Sequence, residues 1–261
     1  MIKSLYTAAT GMDAQQTRIA VISNNIANLN TTGFKSSRAE FQDLIYETRS
    51  APGGETATGI NAPGGLQIGS GVRVVSTPNQ VSQGTLQQTG NPLDLAIEGR
   101  GFLSVQLPNG ETAYTRAGAL SVDATGKVVT QNGFPIVPNI TTNKDGVNRT
   151  IGVDGTISAT VPPASVPTVE GQIGLFTFPN EAGLSSIGRN LYQESIASGT
   201  ATQGVAGTAG VGTIQQGFIE GSNVNIANEL VTMILAQRAY ELNSKVIQTS
   251  DQMLQSTSQI R

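Results

Sequence analysis

The chain has 261 residues, 18 acidic side chains against 15 basic, and neither cysteine nor histidine. Those two absences exclude zinc sites built on Cys or His, cysteine nucleophiles, Ser-His-Asp triads and disulfide scaffolds. Charged residues make up 13%, about half the usual ~25%, and no long basic or acidic tract predicts binding to nucleic acid or an anionic membrane.

A surface carried by Ser, Thr, Asn, Gln and Gly repels copies of itself only weakly, so such chains can be packed together. The first residues, thinly apolar and followed at once by Asp13, do not read as a signal peptide. No run of about 18 apolar residues predicts membrane insertion. The expectation is a chain that, if it leaves the cytoplasm, uses another route.

In chain order, Leu5, Met12, Ile19 and Ile26 recur every seven residues, with Ala8, Gln15, Ile22 and Leu29 three positions behind. This predicts a helix with an a/d seam, weakened at Gly11 by about 1 kcal/mol relative to Ala. The seam ends in SNNIANLNTTGFK, residues 23–35. Asn tolerates the left-handed backbone of a helix end and supplies side-chain donors there. Asn24 and Asn28, one turn apart, are expected to bond across to neighbouring helices and fix their register.

Residues 34–46 (FKSSRAEFQDLIY) predict a short helical piece through Phe41, Leu44 and Ile45. Residues 50–65, rich in Gly, Pro and Thr without an apolar period, predict an extended arm or loop. From Leu66 onward the chain reads as strands. One hairpin pairs 102–107 with 112–116 around Pro108-Asn109-Gly110-Glu111, and another pairs 119–122 with 127–130. Further strands are expected at 134–137, 149–161 and 172–178. Residues 197–213 read as a linker returning to the C-terminal helix.

That last helix has Asn225 as its cap and Glu229 in its first turn. Ile226, Met233, Tyr240, Ile247 and Leu254 keep a seven-residue spacing, widened by Leu230. A second series runs through Leu235, Ala239, Leu242, Val246, Met253 and Ile260, about 180° around the helix. A helix with two opposite seams needs partners on both sides, and the chain holds one other strong helix. Burial across the middle of a large domain is the alternative to packing between molecules.

Candidate catalytic motifs fail. Asp123-Ala124-Thr125-Gly126-Lys127 lacks the first glycine and the strand-to-helix setting of a phosphate loop. Asp145-Gly146 and Asp154-Gly155 are turn dipeptides. No nucleophile, base and orienting group come together, so no enzyme, cofactor or metal is expected.

SNNIANLNTTGFK resembles the N-terminal signature of flagellar rod and hook proteins. Residues 90–137, with GNPLDLAIEGRGFLSV, YTRAG and GKVVTQNGFPI, resemble the next shared block, and 218–255 (FIEGSNVNIANEL…) the C-terminal block. Residues 45–75 are most similar to the distal-rod members. The resemblance marks Asn25, Asn28, Thr32, Gly33, Phe34 and Lys35 as motif residues.

It implies an α+β fold in which N- and C-terminal helices form a coiled-coil-like axial domain around a central β-rich domain of short antiparallel strands. The expected segments are 1–30 (N-terminal helix), 31–75 (connector with the arm), 76–210 (β-rich domain) and 211–261 (return linker and C-terminal helix). It implies a non-enzymatic subunit, exported by the flagellar type III apparatus and located in the cell-envelope-spanning basal body. There it would polymerise with itself into a hollow drive shaft, with hook protein, proximal-rod proteins and the P-ring and L-ring proteins as partners. The expected assembly interface comprises Leu5, Met12, Ile19, Ile22, Asn24, Ile26, Asn28, Ile226, Leu230, Met233, Leu235, Leu242, Val246, Ile247, Met253 and Leu254. A hook or proximal-rod subunit, a secreted β-rich adhesin and a wall hydrolase are the competing readings.

Overall fold

The computed structural model describes residues 2–50, 55–57, 60–61, 64–143, 146–161, 166–208 and 210–259. The architecture is α+β, with a helix at each end and antiparallel strands between. Helix α1 spans Ile2–Ala27 and α2 spans Ile226–Gln259. Neither is long and apolar enough to cross a membrane. Two compact units divide the chain. One gathers Met1–Ile26, Ser37–Pro78 and Ile226–Arg261, the other Ala27–Ser36 and Asn79–Asn225.

In the first unit α1 and α2 touch through small and polar groups. Asn25 Nδ2 donates to Glu229 Oε1 at 3.3 Å. At the other contact, a Cβ on Gly11 would lie 2.8 Å from Asn243 Nδ2, so the missing side chain is the slot that admits the amide. The steps from 11 to 25 and from 243 to 229 are equal and opposite, which makes the pair antiparallel. The glycine that weakens α1 as a helix thus serves its packing.

Strands complete this unit. Glu40–Asp43 pairs with Val72–Ser76, placing Phe41 opposite Val74. The short helix expected over 34–46 is therefore absent. Its local apolar spacing loses to ladder bonds with the β-branched run VRVVS, the usual way tertiary pairing overrides propensity. Tyr46–Ser50 pairs with Leu66–Gly69, and Glu55–Ala57 with Ile60–Asn61. The expected arm thus begins as an exposed ladder; residues 51–54, 58–59 and 62–63 of it lie outside the described residues. Lys3 Nζ holds the base of this ladder through Glu47 Oε2 at 2.5 Å.

The second unit is built of short ladders. Both hairpins expected from turn chemistry are present, Leu103–Gln106 with Thr112–Thr115 and Leu120–Val122 with Val128–Thr130. The first lies in a four-stranded sheet ordered Ser185–Gly188, Leu191–Gln193, Thr112–Thr115, Leu103–Gln106. The expected linker at 197–213 instead carries the strand Thr202–Val205, paired with Gly174–Thr177. Its glycines include Gly204, where a Cβ would meet Val211 at 2.7 Å, so low apolar content reflects tight packing rather than slack chain. Two late strands close the body: Thr213–Gln216 on Leu95–Glu98, and Phe218–Glu220 on Leu86–Gln88. Leu95, Ile97, Val105, Ile136, Ile157, Leu175 and Ile214 form the centre of its main core. A second, aromatic core joins Phe102, Tyr114, Phe178 and Tyr192 edge to face.

Candidate assembly surface

The faces of α2 are allotted in an unusual way. The heptad series Glu229, Ala236, Asn243, Ser250 turns inward, with Ala236 and Ser250 buried. Met233, Ile247 and Leu254 flank it half-buried, whereas Ile226, Leu230 and Tyr240 are exposed. Most of the second series stands outside: Leu235 is 60% and Leu242 65% exposed, and Val246, Met253, Val231 and Ile234 are exposed as well, while Ala239 is half-buried and Ile260 lies outside the described residues. The inner face is thus small and polar and the outer face large and apolar, the reverse of a helix stabilised by its own molecule. At about 25 cal/mol per Å² of apolar surface, covering such a stripe is worth several kcal/mol. On α1, Ile22, Ala8 and Ala14 are buried, and Leu5, Met12, Ile19 and Ile26 are half-buried.

Within the chain, the asparagine-rich junction is tied down by Asn25 and Asn28. Asn25 is buried and holds both polar groups of one residue: its Oδ1 accepts from Ser37 N at 3.0 Å and its Nδ2 donates to Ser37 O at 2.9 Å. Asn28 Oδ1 accepts from Thr31 Oγ1 at 3.1 Å, closing the turn after α1. Asn24 lies exposed on α1. Thr32 O accepts from Asn190 Nδ2 at 3.0 Å, and Phe34 is half-buried.

Gly33 has φ +70, and a Cβ there would come within 2.6 Å of Ala117 N. Only a glycine lets the strap press this closely on residues 116–117. The approach delivers Lys35, 2% exposed, into the body. Lys35 Nζ donates to Glu220 Oε1 at 2.6 Å and to Ser82 O at 2.8 Å. Gly84 N donates to the same carboxylate oxygen at 2.8 Å, and Arg116 Nη1 lies 3.5 Å from both oxygens. Arg116 also donates to the carbonyls of Gly101 and Gly99 and stacks its guanidinium over Phe102. Burial holds the Lys35 ammonium below its usual pKa, reinforced by Arg116 and opposed by Glu220.

Lys35 comes from the first resembling block, Arg116 from YTRAG and Glu220 from FIEGSN, so all three blocks converge on one ion cluster. Sequence reasoning passed over Arg116, Glu220 and Asn223. For Arg116 and Glu220 the available signal was an ionisable side chain among apolar neighbours in a chain poor in charge. Asp123 and Asp154 are turn residues: Thr125 and Thr156 hydrogen-bond to their carboxylates and lower their pKa values. Among the described residues no three His, Cys, Asp or Glu gather as a metal group.

Three family models match the chain, all of flagellar rod and hook proteins. "Flagella basal body rod protein" covers residues 5–35, "Flagellar hook protein FlgE/F/G D1 domain" 96–159, and "Flagellar basal body rod FlgEFG protein C-terminal" 215–260. The chain is 50% identical to the flagellar basal-body rod protein FlgG of Buchnera aphidicola subsp. Schizaphis graminum over 260 residues, 100% of each. It is 48% identical to the FlgG of Caulobacter vibrioides over 100% of both, and 42% identical to that of Bacillus subtilis over 98% of this chain and 97% of the relative. The chain belongs to the flagellar basal-body rod protein family.

Proposed function

We propose that this chain is a structural, non-enzymatic subunit that self-assembles helically into the distal rod of the bacterial flagellar basal body and transmits torque to the hook. The observation that carries the reading is the apolar outer stripe of α2, Leu235, Leu242, Val246 and Met253, left uncovered while the inner face is already occupied. A second copy of the chain covers it in a coiled-coil-like axial domain. Helices α1 and α2, within segments 1–30 and 211–261, supply that domain; 76–210, joined by strands 213–216 and 218–220, is the outer β-rich body, and 31–75 is the connector. The arm at 50–65, carried on the ladder of Tyr46–Ser50 with Leu66–Gly69, packs against adjacent subunits and limits sliding. Export is by the flagellar type III apparatus to the envelope-spanning rod. Hook protein, proximal-rod proteins and the P-ring and L-ring proteins are the neighbours.

Electron microscopy of concentrated full-length protein tests this. Wild type forms tubes, whereas L235N/L242N stays monomeric with unchanged β-strand circular dichroism. Tubes formed equally by the double variant would refute the seam.

A further inference from the structure

The chain passes between its two compact units at residues 26–27, 36–37, 78–79 and 225–226. Within the β-rich unit, the three segments next to these crossings are tied side by side. Gly33 N donates to Glu220 O at 2.8 Å, and Gln80 N donates to Ser36 O at 2.7 Å. Asn223 Oδ1 accepts from Ser36 N at 2.7 Å, while its Nδ2 donates to Gln80 O at 2.8 Å and Ser82 Oγ at 2.9 Å. With the Lys35, Ser82, Gly84 and Arg116 bonds around Glu220, segments 33–36, 80–84 and 220–223 are each joined to both others. We propose that this knot, centred on Glu220 and Asn223, is the anchor that takes up tension where the helices pull on the β-rich unit. The inference rests on the reading of the chain as a torque-carrying subunit.

Stability alone does not account for the knot. A buried ion cluster loses so much hydration that well-packed apolar residues commonly do as well or better. What charge-assisted bonds add is direction, since they are short and fall off steeply as their geometry degrades. Glu220 is held along several directions at once, by Lys35, by the Gly84 amide and by Arg116, and its own carbonyl holds Gly33. A pull on α1 reaches this unit through residues 28–36, and a pull on α2 through 221–225. Bonds between segments 33–36 and 220–223 are the first to meet a pull on α2, and they meet a pull on α1 directly behind the Thr32 carbonyl on Asn190. An apolar plug at that point would slide, whereas these contacts must break together.

The absence of cysteine makes the test clean, because introduced thiols are unique handles. Full-length protein carrying Ala27→Cys and Ala227→Cys is pulled in an optical trap across the knot. A second protein with Asn109→Cys and Thr168→Cys is pulled across exposed sites remote from it. Lys35→Met and Asn223→Ala are each introduced into both. The expected result is a rupture force at least about twofold lower across 27–227, with a much smaller change across 109–168, because each variant removes bonds between segments 33–36 and 220–223, which lie on the first line of pull and off the second. Equal losses in both geometries would mean a merely stabilising cluster and overturn the proposal, as would no loss in either. Should Lys35→Met not fold, Asn223→Ala, at the half-buried rim, decides by the same comparison. Complementation of a rod-deficient strain by the wild-type chain tests the rod reading separately. Failure there with the directional loss intact would strike that reading and leave the anchor.

Discussion

Tyr192 lies beside the ion cluster in the aromatic core, and burial raises its phenol to about 12, Arg116 opposing and Glu220 adding to the shift. An unfolded tyrosine ionises near pH 10. The folded chain therefore holds a proton that the unfolded chain has lost, and stability falls as pH rises from about 10 to 12. The loss is on the order of 2–3 kcal/mol. Lys35 works in the opposite sense: its lowered pKa makes the folded chain bind fewer protons, so its contribution grows as pH climbs toward the ordinary lysine value. Denaturant unfolding across this range should show a steeper alkaline fall in wild type than in Tyr192→Phe, the remainder in the variant coming from Tyr114 and Tyr46, whose phenols are also raised. Gly33→Ala presents a simpler case. The new methyl meets the backbone of residues 116–117 and φ +70 is strained for alanine, so a loss of about 2 kcal/mol or more is expected in urea midpoints.

At the scale of elements, the helices and tight hairpins could be read from the chain because their causes are local. A seven-residue apolar period marks α1 and α2, and Pro108-Asn109-Gly110-Glu111 marks its own turn. Phe41, Leu44 and Ile45 misled because their spacing suits a helix while Phe41 pairs with Val74, a partner no local window contains. Strand 202–205 was hidden by Gly204 and the glycines around it, and Lys35 by a partner 185 positions away. The inward face of α2 was obscured for a different reason. Ala236, Asn243 and Ser250 are too small or polar to register as a seam, yet they form the inward face, on which Asn243 meets Gly11 of α1. The arm is an element whose role is separable from the fold, since its described strands pair chiefly with each other. Deleting residues 50–65 should leave the unfolding midpoint within about 0.5 kcal/mol of wild type while yielding tubes that bend, measured as persistence length in micrographs. Tubes of unchanged stiffness would remove the arm from the packing scheme.

For the whole molecule, chain order and spatial order differ in a useful way. Lys35 belongs to the first seventh of the sequence, and the carboxylate it requires arrives with Phe218–Glu220, a strand that finishes the body by joining Leu86–Gln88. Any apparatus that feeds this polypeptide out head first therefore surrenders the ammonium long before its counter-ion. Until then the bolt has no socket. A chain delivered in that order has no finished body until its tail arrives.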